Sequence, residues 1–242
     1  MPPTLVLDFD GTVCLGDAPV WCYADEILRH IDDEQAARIT TALRSYLDDG
    51  IGGYPDGYRA IAELTGALVS QETLHKAYRA SRDALARTAL DIAAPAGLPE
   101  FLATLEDRAH RVLVTNAPAT GIPESLQVLG LTGVIDEVRT DAGKPGGFTT
   151  LLPVLLAGAA PATLMSVGDF WANDIEPPLT AGCATAYVVR SPLDTRPAHL
   201  RAPHLPDLYD AIAAWVTDPA TLPTTPQIST TLPRTSAPED TR

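Results

Sequence analysis

Two aspartates two positions apart, Asp8 and Asp10, follow the apolar run Leu5–Leu7 and lead into Gly11-Thr12. Carboxylates this close repel one another unless a cation or a shared proton relieves them. Glycine at position 11 lets the chain turn sharply after them. By themselves these residues also fit an acidic turn, because Asp and Gly are common turn formers. Thr115-Asn116 closes a second apolar run, Val112–Val114. A hydroxyl, an amide and free backbone N–H groups at such a place can cradle phosphate oxygens, although the pair also begins many ordinary loops. Lys144, in Ala142-Gly143-Lys144-Pro145, is one of two lysines in the chain, with Lys76. It is a compact cation held at a turn, or else a solvated surface lysine. The run Met165–Val167 ends in Gly168-Asp169, and Asp174 follows five residues later. Hard oxygen ligands there suit Mg²⁺, while a helix cap is the plainer role for Asp174.

Such groups meet only if the chain brings them to one edge. Short apolar runs recur at Leu5–Leu7, Val112–Val114, Val134–Ile135, Leu164–Val167 and Ala184–Val189, and most read as strands buried on both faces. Between the later ones lie helix-length segments, Leu98–Arg108, Pro123–Leu129, Thr149–Ala157 and Leu179–Gly182. Alternating strands and helices predict an α/β fold with a doubly wound parallel sheet, and ligands of such sheets bind beyond the carboxyl ends of the strands. All four motifs fall there. From about Ala18 to Thr88 the alternation stops. Helical patterns near 21–31, 33–48, 56–66 and 70–88 follow one another, with Asp33, Asp56 and Ser70 as N-cap candidates. The expected organisation is a core domain over 1–17 and 92–216, an inserted small all-helical cap domain over 18–91, and a Pro/Thr-rich tail over 217–242. The tail has too few large apolar groups to offset its ordering entropy and reads as disordered.

The order D-x-D-G-T, T-N, G-K-P, G-D-x-x-x-N-D resembles the haloacid dehalogenase-like (HAD) hydrolase superfamily, over about Leu5 to Val189. The helical insertion is similar to that family's C1 cap. The resemblance implies a phosphatase in which Asp8 attacks phosphorus to form an aspartyl-phosphate and Asp10 is the general acid/base. It implies that Mg²⁺ is held by Asp8, the backbone carbonyl of Asp10 and Asp169, with Asp174 directly or through water. Thr115 and Asn116 match the phosphate-binding position, and Lys144 matches the residue that spreads its charge over the phosphoryl oxygens. An acid/base at Asp10 favours oxygen–phosphorus chemistry over dehalogenation or phosphonate cleavage. Two features depart from the family pattern: Gly146-Gly147 after the lysine, and Glu176-Pro177-Pro178 after Asp174. A phosphomutase or phosphotransferase of the same fold, or a non-catalytic binding or regulatory protein, are the rival readings.

The chain of 242 residues carries a net charge of −14. A surface this acidic argues against nucleic acid or an anionic membrane as partner, since both need clustered Lys and Arg. A local cation can still reverse the field in one cleft, so an anionic substrate is compatible. The expected partner is a small phosphorylated metabolite, with the protein a monomer or homodimer. Cys14, Cys22 and Cys183 cannot all pair and form no C-x-x-C, which fits a reducing cytoplasm. The first residues have neither a basic stretch nor a long apolar run and do not read as a signal peptide. Trp21, Tyr23, Arg44, Tyr54, Tyr58 and Arg59 are candidates to face the site from the helical insertion.

Overall fold

The computed structural model describes residues 2–49, 52–54, 56–87, 91–191, 193–223 and 225–226. Its strands are β1 (Thr4–Leu7), β2 (His110–Val114), β3 (Glu137–Arg139), β4 (Leu164–Gly168), β5 (Ala184–Val188) and β6 (Leu200–Ala202). They form one parallel sheet in the order β3-β2-β1-β4-β5-β6. The helices are α1 (Ala18–Leu28), α2 (Asp33–Asp49), α3 (Gly57–Thr65), α4 (Gln71–Arg87), α5 (Leu98–Thr104), α6 (Ile122–Val128), α7 (Phe148–Leu156), α8 (Glu176–Thr180) and α9 (Tyr209–Thr217).

Side chains alternate along each strand, so both faces need cover. Leu5, Leu7, Leu113, Met165 and Val167 pack on one face with residues of α5, α6 and α9. Val6, Val112, Val114 and Leu164 pack on the other with Phe148, Leu152 and Leu155 of α7. The result is a doubly wound α/β sheet. Arg111, the second residue of β2, is almost fully buried; its guanidinium donates to both Asp136 oxygens (2.9 and 2.6 Å) and to the Leu102 carbonyl (2.9 Å). That pairing ties the start of the strand to the loop before β3.

Helices α1–α4 lie between β1 and α5 in the chain and bury their own cluster, which includes Val20, Tyr23, Ile27, Leu43, Ile61 and Leu74. The chain leaves the sheet and returns to it side by side: Leu15 and Ala93 exchange backbone hydrogen bonds of 2.8 and 3.0 Å. Asp56 Oδ1 accepts from Arg59 N at 2.7 Å to cap α3, and Ser70 Oγ accepts from Thr73 N at 3.1 Å to cap α4. The cap of α2 is Asp32, whose Oδ1 accepts from Gln35 N at 3.0 Å, and Asp33 is already helical.

The structure corrects several sequence expectations. Val134 and Ile135 are not a strand. Val134 N closes a turn onto Leu131 O at 3.3 Å, and both side chains pack against the core, so their apolarity serves packing. The third strand starts at Glu137. β6 and α9 were not foreseen: β6 is a three-residue edge strand without an apolar run, and α9 falls beyond the last strand expected. Order also extends past residue 217. Asp218 Oδ1 accepts from Ala220 N at 2.9 Å to cap a 3-10 turn at Pro219–Thr221, and Leu222 packs against the core. The rest of the expected tail, 227–242, lies outside the described residues. Among the described residues no helix is long and apolar enough to cross a membrane, and the three cysteines are free.

Candidate active site

β1 lies between β2 and β4, and the chain moves away from it first to one side and then to the other. Strand ends diverge at such a point and leave a crevice at their carboxyl edge. The register decides what fills it. Leu7 pairs with Leu113 on one side and Val167 on the other, and Asp8 N donates to Val167 O at 3.0 Å. Asp8 therefore leaves the sheet between the tips that carry Thr115 and Asp169.

One carboxylate oxygen from each of Asp8, Asp169 and Asp174 lies within 4.8 Å of the others. Asp174 reaches this cluster because a π-helical turn, Trp171–Ile175, folds it back over β4, where its Oδ2 accepts from Phe170 N at 3.1 Å. Wide turns of this kind are frequent at functional sites. Gly168 permits the fold-back, since a Cβ there would overlap the Asp174 side chain. Lys144 comes in from the opposite tip. Its Nζ, with the side chain 3% exposed, donates to Asp8 Oδ1 at 2.7 Å and Asp174 Oδ1 at 2.6 Å. Thr12 Oγ1 lies 3.1 Å from Asp8 Oδ2 and 3.3 Å from Asp169 Oδ1.

Burial and crowding set the protonation of these groups. Burial foremost, and then the Asp8 charge, push the Asp174 carboxyl up to about 8 against the pull of Lys144. Burial likewise pushes Asp169 up to about 6 despite Arg190, with Asp8 adding to the rise. Burial tends to strip the Lys144 ammonium of its proton, but Asp8 and Asp174 outweigh it and hold the group raised. The cluster is short of positive charge. Three hard oxygen donors within reach of one another suit a small divalent cation of the Mg²⁺ kind, so Asp8, Asp169 and Asp174 fit such an ion by their chemistry.

Thr115 is buried at the tip of β2, where its Oγ1 accepts from Ala117 N at 3.0 Å. Asn116 grips the lysine loop: its Oδ1 accepts from Lys144 N at 2.6 Å and its Nδ2 donates to Lys144 O at 2.9 Å. One side chain thus fixes where the lysine starts. Asp10 turns toward the helical insertion and takes a hydrogen bond from Arg82 Nη2 at 2.7 Å. Arg190, just past β5, pairs with Asp169 Oδ2 at 2.5 Å. Gly11 holds φ of 83°, and a Cβ there would overlap both Arg190 and Asp169.

A cavity of about 260 Å³ joins these groups; Asp8, Asp10, Thr115, Asn116, Lys144, Asp169 and Asp174 all line it. From the helical insertion it takes Asp56, Tyr58, Tyr78 and Arg82. Of the candidates from that segment, Tyr58 lines the cavity and Tyr23 contacts it, with ring centroids 5.8 Å apart and planes tilted by 37°. Arg44 lies over the Trp21 ring at 5.6 Å, Tyr54 contacts Tyr46 at 5.4 Å, and Arg59 pairs with Glu63 at 2.6 Å. Tyr78 and Arg82 escaped the sequence reading, although a signal was present. Leu74, Ala77, Tyr78, Ser81 and Arg82 recur at helical spacing on one face of α4. An arginine on that stripe is a buried charge in need of a partner. Arg190 was missed as well; its signal is a basic residue directly after an apolar strand.

No family model matches the chain, and no curated relative matches it. Solved structures do. The chain is similar to YfnB from Bacillus subtilis, described as a HAD-hydrolase bound to magnesium, at 16% identity over 88% of this chain and 99% of that one, TM-score 0.59. It is similar to CbbY from Rhodobacter sphaeroides in complex with phosphate, at 14% identity over 86% and 96%, TM-score 0.60. A HAD phosphatase from Thermococcus onnurineus matches at 18% identity over 87% and 97%, TM-score 0.55. The fold is that of the haloacid dehalogenase-like hydrolases.

Proposed function

We propose that this protein is a Mg²⁺-dependent phosphohydrolase that cleaves a small phosphomonoester through an aspartyl-phosphate on Asp8. The observation that carries the reading is the meeting, at the switch point of the sheet, of Asp8, Asp169 and Asp174 with one buried lysine. Three carboxylates and a phosphate dianion repel one another in a cleft unless cations hold them. Lys144 is one, and Mg²⁺ held by Asp8, Asp169, Asp174 and the backbone carbonyl of Asp10 is the other. Bound there, the ion would neutralise phosphoryl oxygens and draw the phosphate against the nucleophile.

The chain's own groups have separate tasks. Asp8 attacks phosphorus in line, the phosphorus–oxygen ester bond breaks, and the leaving oxygen takes a proton from Asp10. Asp10 then removes a proton from the water that hydrolyses the acyl phosphate, which releases phosphate and restores Asp8. Thr115 lines the position of the phosphoryl oxygens, with the backbone N–H groups at the end of β2. Asn116 acts through Lys144, whose backbone it clamps at both ends. The helical insertion serves as the cap, since Asp56, Tyr58, Tyr78 and Arg82 close the cavity opposite the phosphate position. Similarity to solved phosphatases of this fold supports the reading.

The test is phosphate release from a panel of phosphorylated metabolites and an aryl phosphate, with and without Mg²⁺, using Asp8→Asn as the blank. Wild type should release phosphate only with the metal, and Asp8→Asn should retain less than about one ten-thousandth of that rate, because the covalent route is closed. Near-normal turnover by a folded Asp8→Asn protein would falsify the mechanism.

A further inference from the structure

The helical insertion brings a cation into the cavity that phosphoryl transfer itself does not need. Arg82 is 1% exposed and rises from α4. Its guanidinium carbon sits 5.3 Å from the ring centroid of Tyr58 and 5.3 Å from that of Tyr78. Among the described residues only Nη2 is bonded, to Asp10 at 2.7 Å and to the Tyr78 hydroxyl at 3.3 Å. Nε and Nη1 are buried without a hydrogen-bond partner among the described residues, and so is the Tyr58 hydroxyl. Buried donors are nearly always paired, because leaving one unmade forfeits its hydration with no return. Here three unmade donors lie on two residues in contact, both in the wall of the cavity that holds Asp8 and Lys144. The aromatic faces steady the guanidinium but supply no oxygen acceptor.

We infer that Arg82, Tyr58 and Tyr78 form a subsite for a carboxylate on the alcohol part of the phosphomonoester, so that the preferred substrates are phosphorylated small hydroxy acids. This rests on the phosphohydrolase reading above and specifies its substrate class. A carboxylate meets the donors' demands: it is planar, accepts from two guanidinium nitrogens at once, and retains lone pairs for a hydroxyl. A second phosphoryl group fits less well, since its extra negative charge would face Asp8, Asp10 and Asp56 across the same cavity. Asp10 stands between the two subsites, which places the ester oxygen beside it when the phosphoryl group lies at Asp8 and the carboxylate at Arg82.

The experiment compares kcat/KM for matched pairs with the full chain and Mg²⁺: phosphoglycolate against ethyl phosphate, and phospholactate against isopropyl phosphate. Each pair differs in a carboxylate for a methyl group. Wild type should prefer the acid by about 100-fold or more, because a site built to bond a polar group rejects the analogue that lacks it. Arg82→Gln should collapse the ratio to about 3-fold, Arg82→Lys should keep part of it, and Tyr58→Phe should lower it about 5-fold to 10-fold. The informative readout is the ratio, because loss of the Asp10 contact alone would slow both members alike. An unchanged ratio in folded Arg82→Gln, or no preference in wild type, overturns the subsite. If aryl phosphate is still hydrolysed in that case, the phosphohydrolase reading stands and only the subsite fails. No phosphate release from any substrate overturns both.

Discussion

Replacing Lys144 by methionine removes the charge from the centre of the site and keeps most of the side-chain length. In the phosphohydrolase reading the lost ammonium no longer faces the transferring oxygens. One unit charge pair near 4 Å is worth about 4 kcal/mol at an effective dielectric near 20. At 1.36 kcal/mol per tenfold, kcat should fall about 1,000-fold at saturating Mg²⁺. Stability should fall too. Nζ now bonds Asp8 at 2.7 Å and Asp174 at 2.6 Å, and the lysine side chain is 3% exposed. Breaking a buried pair from one side costs about 3–5 kcal/mol. At about 2–4 °C per kcal/mol for a chain of this size, the metal-free melting temperature should drop by about 6–20 °C. The loss has a pH signature. Without the lysine, which pulls it down, the Asp174 carboxyl rises further above the ordinary carboxylate value, so the folded state binds more protons than the unfolded one. The deficit should therefore shrink at pH 5.5 and grow toward pH 8.5. Phosphate-release kinetics and melting curves across pH measure both effects. A folded Lys144→Met protein with turnover within tenfold of wild type, or with a pH-independent stability loss, would refute the reasoning.

Wild type should show the same linkage on a smaller scale. The pKa of Asp169 is raised to about 6 and that of Asp174 to about 8, so the metal-free protein should lose stability as pH climbs through that window. Mg²⁺ should restore it, with affinity rising with pH as the ligands deprotonate; flat melting curves in chelator would contradict this. Gly11→Ala should cost about 1–3 kcal/mol and most of the activity, because its φ of 83° and the nearness of Arg190 and Asp169 leave no room for a Cβ. Denaturant midpoints and turnover check it. Arg111→Met should cost about 1–3 kcal/mol, because Asp136 keeps some solvent exposure in compensation. Turnover per folded molecule should not change, since Arg111 lies near the beginning of its strand and the site lies at the strands' other end.

Much of the fold could be read along the chain. Leu5–Leu7, Val112–Val114 and Leu164–Val167 are apolar at consecutive positions, which only a strand covered on both faces requires, and each appears in the sheet. The reading failed where local pattern and packing part. Val134 and Ile135 are apolar because they pack in a turn, and β6 is a strand only because β5 offers it an edge. At the site, the acidic and basic residues at strand tips were identifiable as types, but their contacts were not. Nothing in the spacing says that Asn116 grips the lysine loop at both ends, or that Asp10 meets an arginine 72 residues away.

The sequence by itself determined which residues could carry charge to one edge of the sheet, because strand length and the turn residues after each strand are local properties. Tertiary structure alone decided how those charges share the space. Strand order set Asp8 beside Asp169, a wide turn folded Asp174 over both, and α4 delivered Arg82 to Asp10. The physical reason is that register and helix docking are fixed by packing between segments far apart in the chain. The balance of charge in a buried cluster depends on those distances and on nothing a single segment contains.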